Sequence, residues 1–318
     1  MLHIARNAWQ KGASVSTMAA AGYCADMTTP IPYLPGISDL VSDYDGFVLD
    51  LWGVLHDGVN LYPGVADAMS RLAAAGKSFV MLTNAPRRAW AVSEQMAALG
   101  LPEALCRPVM SSGEATWREL LARSDPWYAG LGRRCYHIGP ERDENLFDGL
   151  DIERVNALRD SDFILNTGPW RDGERVEDYE DCLSTGARLG LSMICANPDL
   201  QVIRGGKRII CAGALARRYE SLGGAVRYLG KPHASIYDYC FEHLGGVERR
   251  RILAIGDSLR TDIAGAAAAG IDSALVVGGI HAEELGVKNG AACDSEALAL
   301  LCAREGLSPV AAVPAFVW

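Results

Sequence analysis

A doubly wound parallel α/β sheet with a second α/β unit inserted into it is the fold the sequence predicts, on three observations. Short apolar runs, Phe47-Val48-Leu49, Phe79-Val80-Met81-Leu82 and Ile252-Leu253-Ala254-Ile255, have the unbroken hydrophobic character of strands covered on both faces. Helical patterns separate them at the spacing of βαβ units, which implies parallel strands and right-handed crossovers. Each run stops abruptly at polar residues, Asp50, Thr83-Asn84 and Asp257, and the C-terminal ends of strands are where open α/β sheets keep their chemistry.

The elements follow in order. Residues 1–25 hold Arg6 and Lys11 but no acid before Asp26, a bias compatible with a transit peptide, although no apolar h-region marks a secretory signal. An extension, or a start at Met27, is the simpler expectation, so residues 1–36 are read as a poorly ordered N-terminal segment ending in Pro30-Ile31-Pro32 and Pro35-Gly36. A short helix over 37–41 leads into the strand ending at Asp50. Over 65–75, Ala66, Met69, Leu72 and Ala73 share a helical face and Gly76 stops the helix. A second strand ends at Thr83-Asn84, and a helix over 89–99 is closed by Gly100. From Ser112 a new βα series begins, with strand-like Cys135-Tyr136-His137-Ile138, Phe163-Ile164-Leu165-Asn166 and Ser192-Met193-Ile194-Cys195 separated by helical patterns such as 176–189. Residues 112–225 are thus expected to form a cap domain, with 37–111 and 226–318 forming the core. The core resumes near Arg227-Tyr228-Leu229 and continues through a helix over 233–244. Then come the strand at 252–255, a helix over 262–269 ended by Gly270, and the strand Ala274-Leu275-Val276-Val277.

At 318 residues the chain has room for about two domains, and its 49% hydrophobic and 22% charged residues are those of a globular protein. A net charge of -9 argues against nucleic acid as a partner; the basic clusters Arg217-Arg218 and Arg249-Arg250-Arg251 are short. Nine cysteines occur without a CxxC pair or repeated spacing, as expected of reduced thiols in a cytoplasmic protein. No apolar stretch approaches the roughly 20 residues of a membrane span, so no membrane partner is expected.

Four dispersed motifs carry the chemistry: the run Phe47 to Gly58 containing Asp50, then Leu82-Thr83-Asn84, Gly230-Lys231-Pro232, and Gly256-Asp257-Ser258-Leu259-Arg260-Thr261-Asp262. In this order they resemble the haloacid dehalogenase (HAD) superfamily, and within it the class IIA, NagD-like phosphatases, which insert a large cap between the second and third motifs. The resemblance covers residues 45–279. It implies a HAD-like Rossmannoid core, a small phosphorylated metabolite such as a sugar phosphate or nucleotide as substrate, Mg²⁺ as cofactor, and a cap that in relatives often carries homodimer contacts.

The residue chemistry agrees. An aspartate can be phosphorylated and released again, which makes Asp50 the candidate nucleophile, and Mg²⁺ with hard oxygen ligands removes the repulsion between carboxylate and phosphate. The resemblance implies Asp50, the main-chain carbonyl of Trp52, Asp257 and Asp262 as metal ligands. Asp257 at a strand-to-helix junction also suits an N-cap. Thr83 and Asn84 are candidate donors to phosphoryl oxygens, and either also suits a helix cap. Lys231 is the candidate cation beside the transferring group. In the cap, Asn197-Pro198-Asp199 and Arg204 resemble the segment that faces the core and reads the substrate; Arg204 and Lys207 suit a second anionic group or a solvated basic loop equally.

One residue departs from the pattern. Most phosphatases of the superfamily hold an aspartate two residues after the nucleophile, as general acid and base; here Trp52 stands there. Loss of such a group costs about 10²- to 10⁴-fold in rate. Three readings follow: His56 takes over proton transfer, a cap residue activates water for a substrate with a good leaving group, or the protein is a catalytically silent binder of a phosphorylated ligand.

Overall fold

A computed structural model describes residues 30–204, 207–287 and 293–318; the expectations for residues 1–29, and for the side chains of Arg204 and Lys207, lie outside the described residues. In chain order the strands are β1 (Gly46–Leu49), β2 (Ser78–Thr83), β3 (Val109–Ser111), β4 (Arg134–Ile138), β5 (Glu153–Val155), β6 (Phe163–Asn166), β7 (Ser192–Cys195), β8 (Gln201–Arg204), β9 (Lys207–Ile210), β10 (Ala225–Tyr228), β11 (Ile252–Gly256), β12 (Asp272–Val276) and β13 (Ala311–Val313).

The expected doubly wound sheet is present, with strand order β13-β12-β11-β1-β2-β3 and every pairing parallel. The chain starts at the centre, runs outward through β2 and β3, then returns to the other side of β1 and runs outward again. The switch point therefore lies between β1 and β11, where open α/β sheets form their crevice. Both faces of β1 are covered, because Phe47 and Leu49 pack into one apolar cluster and Val48 into the other. That two-sided burial explains why the run is apolar without alternation. The helices Val65–Ala74 and Ala89–Ala98 lie close to the expected bounds, while the expected helix 262–269 begins instead with a π-turn, Leu259–Ile263, and continues as Ala264–Ala269.

The inserted unit is a second parallel sheet, β10-β7-β6-β4-β5, with the antiparallel hairpin β8-β9 beside it. One strand pairs differently from its expected placement. Arg227 and Tyr228, expected to resume the core, lie in β10, which pairs with β7 in the inserted sheet. The helix Ser112–Ala122, expected to open the cap, packs on the inserted unit's turn Glu141–Phe147 and also on β3 and the core helix Ser235–His243, so it bridges the two units. Residues 30–36, expected to be poorly ordered, are tied to the C-terminal strand: Leu34 N donates to Ala312 O at 2.9 Å and Ala312 N to Pro32 O at 2.8 Å. No helix among the described residues is long and apolar enough to cross a membrane.

Candidate active site

Asp50, Asp257 and Asp262 converge at the switch point, with one carboxylate oxygen of each within 4.8 Å of the others and all three residues buried. Parallel register produces this. Leu49 is level with Ile255 of β11, and Asp50 N donates to Ile255 O at 2.9 Å, so both strands deliver their terminal aspartates to one end of the sheet. Gly53 lets the loop after β1 close over them, since its φ is 84° and a Cβ there would lie 2.0 Å from Asp257 Oδ2.

Lys231, 3% exposed, sends its ammonium between Asp50 and Asp262, with Nζ 2.6 Å from Asp262 Oδ1 and hydrogen-bonded to Asp50 Oδ1; it also donates to Leu82 O at 3.2 Å. Burial alone would lower its pKa, but Asp262 and Asp50 drive it well above the ordinary lysine value, so it stays protonated. Burial and the Asp262 charge push Asp50 up against the pull of Lys231, and burial with Asp262 pushes Asp257 up to about 7. Three carboxylates facing one ammonium leave two negative charges uncompensated when all are ionised. Converging hard oxygen donors with that excess of charge fit a small divalent cation.

A cavity of about 390 Å³ opens from these groups and is walled by the hairpin residues Gln201, Val202 and Ile203, and by Thr83, Asp199 and Arg260. A second of about 370 Å³ lies between core and cap; Trp52, Thr83, Asp199 and Val202 line both.

Comparison with known proteins agrees with this fold. Residues 47–153 match the family model described as haloacid dehalogenase-like hydrolase, and residues 228–295 match one described as HAD-hydrolase-like. A solved hydrolase of the haloacid dehalogenase-like family from Brucella suis is 36% identical, covers 89% of this chain and 100% of its own, and superposes with a TM-score of 0.77. The chain belongs to the haloacid dehalogenase-like hydrolases. Within that family it lies on the class IIA, NagD-like branch. Chronophin from Bos taurus is 27% identical over 271 residues, 78% of this chain and 86% of its own. The ribonucleotide monophosphatase NagD of Escherichia coli K12 is 26% identical over 252 residues, 77% of this chain and 89% of its own.

The remaining HAD-motif residues divide into those that face the carboxylates and those that hold the scaffold. Thr83 is buried at the end of β2 and lines the cavity; its Oγ1 accepts from Ala85 N at 3.2 Å, which leaves its own proton to donate. Asn84 is a junction instead. Its Nδ2 donates to Lys231 O at 3.1 Å and to Asp199 Oδ1 at 2.9 Å, while its Oδ1 accepts from Lys231 N at 2.8 Å and Ser112 Oγ at 3.2 Å. An amide side chain has two protons and two lone pairs to offer, so this one has none left for a phosphoryl group. Asn197 likewise serves a turn, Oδ1 accepting from Asp199 N at 3.0 Å, and lines only the second cavity.

His56 does not join the carboxylates. It is 3% exposed, its Nδ1 accepts from Gly58 N at 2.9 Å, and it lines the second cavity only. Burial pushes its pKa down to about 4, so it is a neutral ring packed edge-on against Trp52, with centroids 5.2 Å apart. Trp52 itself donates from Nε1 to Ile203 O at 3.0 Å, joining the loop after β1 to the cap hairpin. The residue that breaks the HAD pattern is thus a core-to-cap contact. Arg260 and Tyr62 also line the first cavity, though neither stands out in sequence: Arg260 sits inside the quoted motif with no residue-type signal, and Tyr62 lies outside every motif.

Proposed function

We propose that the chain hydrolyses a small phosphomonoester, with Asp50 as the nucleophile. The observation that carries this is the buried set Asp50, Lys231, Asp257 and Asp262 at one end of the sheet, opening into a cavity roofed by the cap hairpin. A carboxylate held against a protonated lysine is oriented for attack, and the same ammonium lies where it would meet negative charge developing on the transferring group. The Thr83 hydroxyl and the exposed Arg260 are among the further donors on the cavity wall.

Asp50, Asp257, Asp262 and the Trp52 carbonyl would hold Mg²⁺, which when bound supplies the positive charge that lets a phosphoryl dianion approach Asp50. Closure of the cap, with the hairpin lining the cavity and Trp52 bonded to it, would exclude water from the intermediate and select the organic part of the ester. The NagD relative named as a ribonucleotide monophosphatase supports a small phosphorylated metabolite as substrate. The described cysteines are all free, which supports a reducing, cytoplasmic setting.

Trp52 favours one rival, a silent binder of a phosphorylated ligand. Release of inorganic phosphate from a panel of phosphomonoesters, with and without Mg²⁺, separates the two. Hydrolysis predicts metal-dependent turnover that Asp50→Asn abolishes. Thermal stabilisation of both proteins by a phosphorylated ligand, with no phosphate released by either, would establish the binder.

A further inference from the structure

We propose that Asp199, delivered by the cap, is the residue that protonates the leaving oxygen and then activates water, a role that presupposes the phosphatase activity proposed above. The acids and phenol on the wall of the first cavity are Asp50, Asp57, Tyr62, Asp199, Asp257 and Asp262, and all but one are committed elsewhere or unsuited to both halves of this role. Asp50 is the nucleophile, and Asp257 and Asp262 complete the carboxylate cluster. Asp57 caps its own turn: Oδ1 accepts from Asn60 N at 2.7 Å and Val59 N at 2.8 Å, and these amides hold its carboxyl below the ordinary range, so it has no proton to give near neutrality. Burial pushes the Tyr62 phenol upward, so it is no base there.

Asp199 has the opposite properties. It stands at the head of the hairpin, half-buried, with one carboxylate oxygen fixed by Asn84 Nδ2 at 2.9 Å; among the described residues no other group bonds to the carboxylate, so Oδ2 remains for a ligand. The Asn84 amide that fixes it also grips both the N–H and the C=O of Lys231, so the acid from the cap is registered against the lysine that holds Asp50. Burial raises its carboxyl, Asp262 adds to this, and Lys231, the Asn84 amide and Arg260 oppose it; the net direction is up, toward an acid that retains its proton closer to neutrality. Trp52 Nε1 holds Ile203 O, four residues along the same segment, against the core.

The steps balance. An Asp50 oxygen bonds to phosphorus as the ester P–O bond breaks, and the departing oxygen takes the Asp199 proton to leave as an alcohol. Water then attacks phosphorus while the Asp199 carboxylate takes one of its protons; the bond between phosphorus and Asp50 breaks, releasing phosphate and restoring both carboxyl groups.

The test compares wild type, Asp199→Asn and Asp199→Glu on glycerol 3-phosphate, whose leaving oxygen needs a proton, and p-nitrophenyl phosphate, whose leaving group departs without one, each with Mg²⁺. Asp199→Asn is expected to lose about 10²- to 10⁴-fold in kcat/KM on the alkyl ester together with the alkaline limb of its pH profile. On p-nitrophenyl phosphate it should still release a first burst of nitrophenol, followed by slowed turnover as water goes unactivated. Asp199→Glu should recover part of the alkyl-ester rate. Asp199→Asn within about threefold of wild type on the alkyl ester, or equal slowing of both esters without a burst, overturns the assignment while the phosphatase reading stands. A wild type inactive on every ester overturns both.

Discussion

Replacing Trp52 by Phe isolates the contact that stands where the HAD pattern has an acid. The ring of Phe still packs against His56, but the indole N–H that donates to Ile203 O at 3.0 Å is gone. Ile203 is 38% exposed, so water can reach the abandoned carbonyl, and the loss is that of an ordinary hydrogen bond rather than of a buried orphan. Such a bond is worth about 1 kcal/mol net, or about a fivefold change in the population of the state that contains it. The variant should therefore lose about fivefold in kcat/KM, to the same extent for alkyl and p-nitrophenyl esters, because a cap-positioning contact acts before any proton moves. Steady-state kinetics on the two esters measure this. An unchanged or raised kcat/KM would refute the role of the contact, and a loss confined to the alkyl ester would mean that Trp52 acts on the leaving group.

Other expectations follow from the same geometry. Lys231→Met leaves Asp50 and Asp262 buried without their cation, and breaking a buried pair in this way costs about 3–5 kcal/mol; urea unfolding without metal should show that loss, and phosphate release should be abolished. A variant as stable and active as wild type would contradict the site. His56 binds its proton with a pKa near 4 in the folded chain against 6.5 when unfolded, so the unfolded state holds more protons between these values and stability falls as pH drops through that window. Between pH 7 and pH 5 this amounts to about 2 kcal/mol. His56→Asn, which keeps an acceptor for Gly58 N, should lose that much less on acidification while retaining phosphate release; an unchanged acid loss would show that His56 is not buried as a neutral ring.

The parts of this chain that its sequence discloses are those fixed by local signals. Asp50, Asp257 and Thr83 each close an apolar run buried on both faces, and Lys231 and Asp262 sit in short motifs whose order is itself informative. What sequence conceals depends on distant partners. The Asn84 amide is used up by residues 115 and 147 positions away, so a residue that suits phosphate binding becomes a scaffold junction. His56 beside Asp57 resembles a replacement acid and base until the Gly58 amide and the Trp52 ring claim it. Ala225–Tyr228 matches a core strand in composition, and only its pairing with β7 assigns it to the cap sheet. β3 and β13 have three residues each, too few for a periodic signal.

The central claim is that Asp50 carries the phosphoryl group, and chemical trapping tests it most directly. Wild-type protein turning over p-nitrophenyl phosphate with Mg²⁺ is quenched in acid and treated with borohydride, which reduces an acyl phosphate to an alcohol, and the peptide spanning β1 is then sequenced by mass spectrometry. The expected result is homoserine at position 50 and nowhere else, absent without substrate. Phosphate release without any reduced aspartate, or reduction at another acid, would contradict the assignment of Asp50.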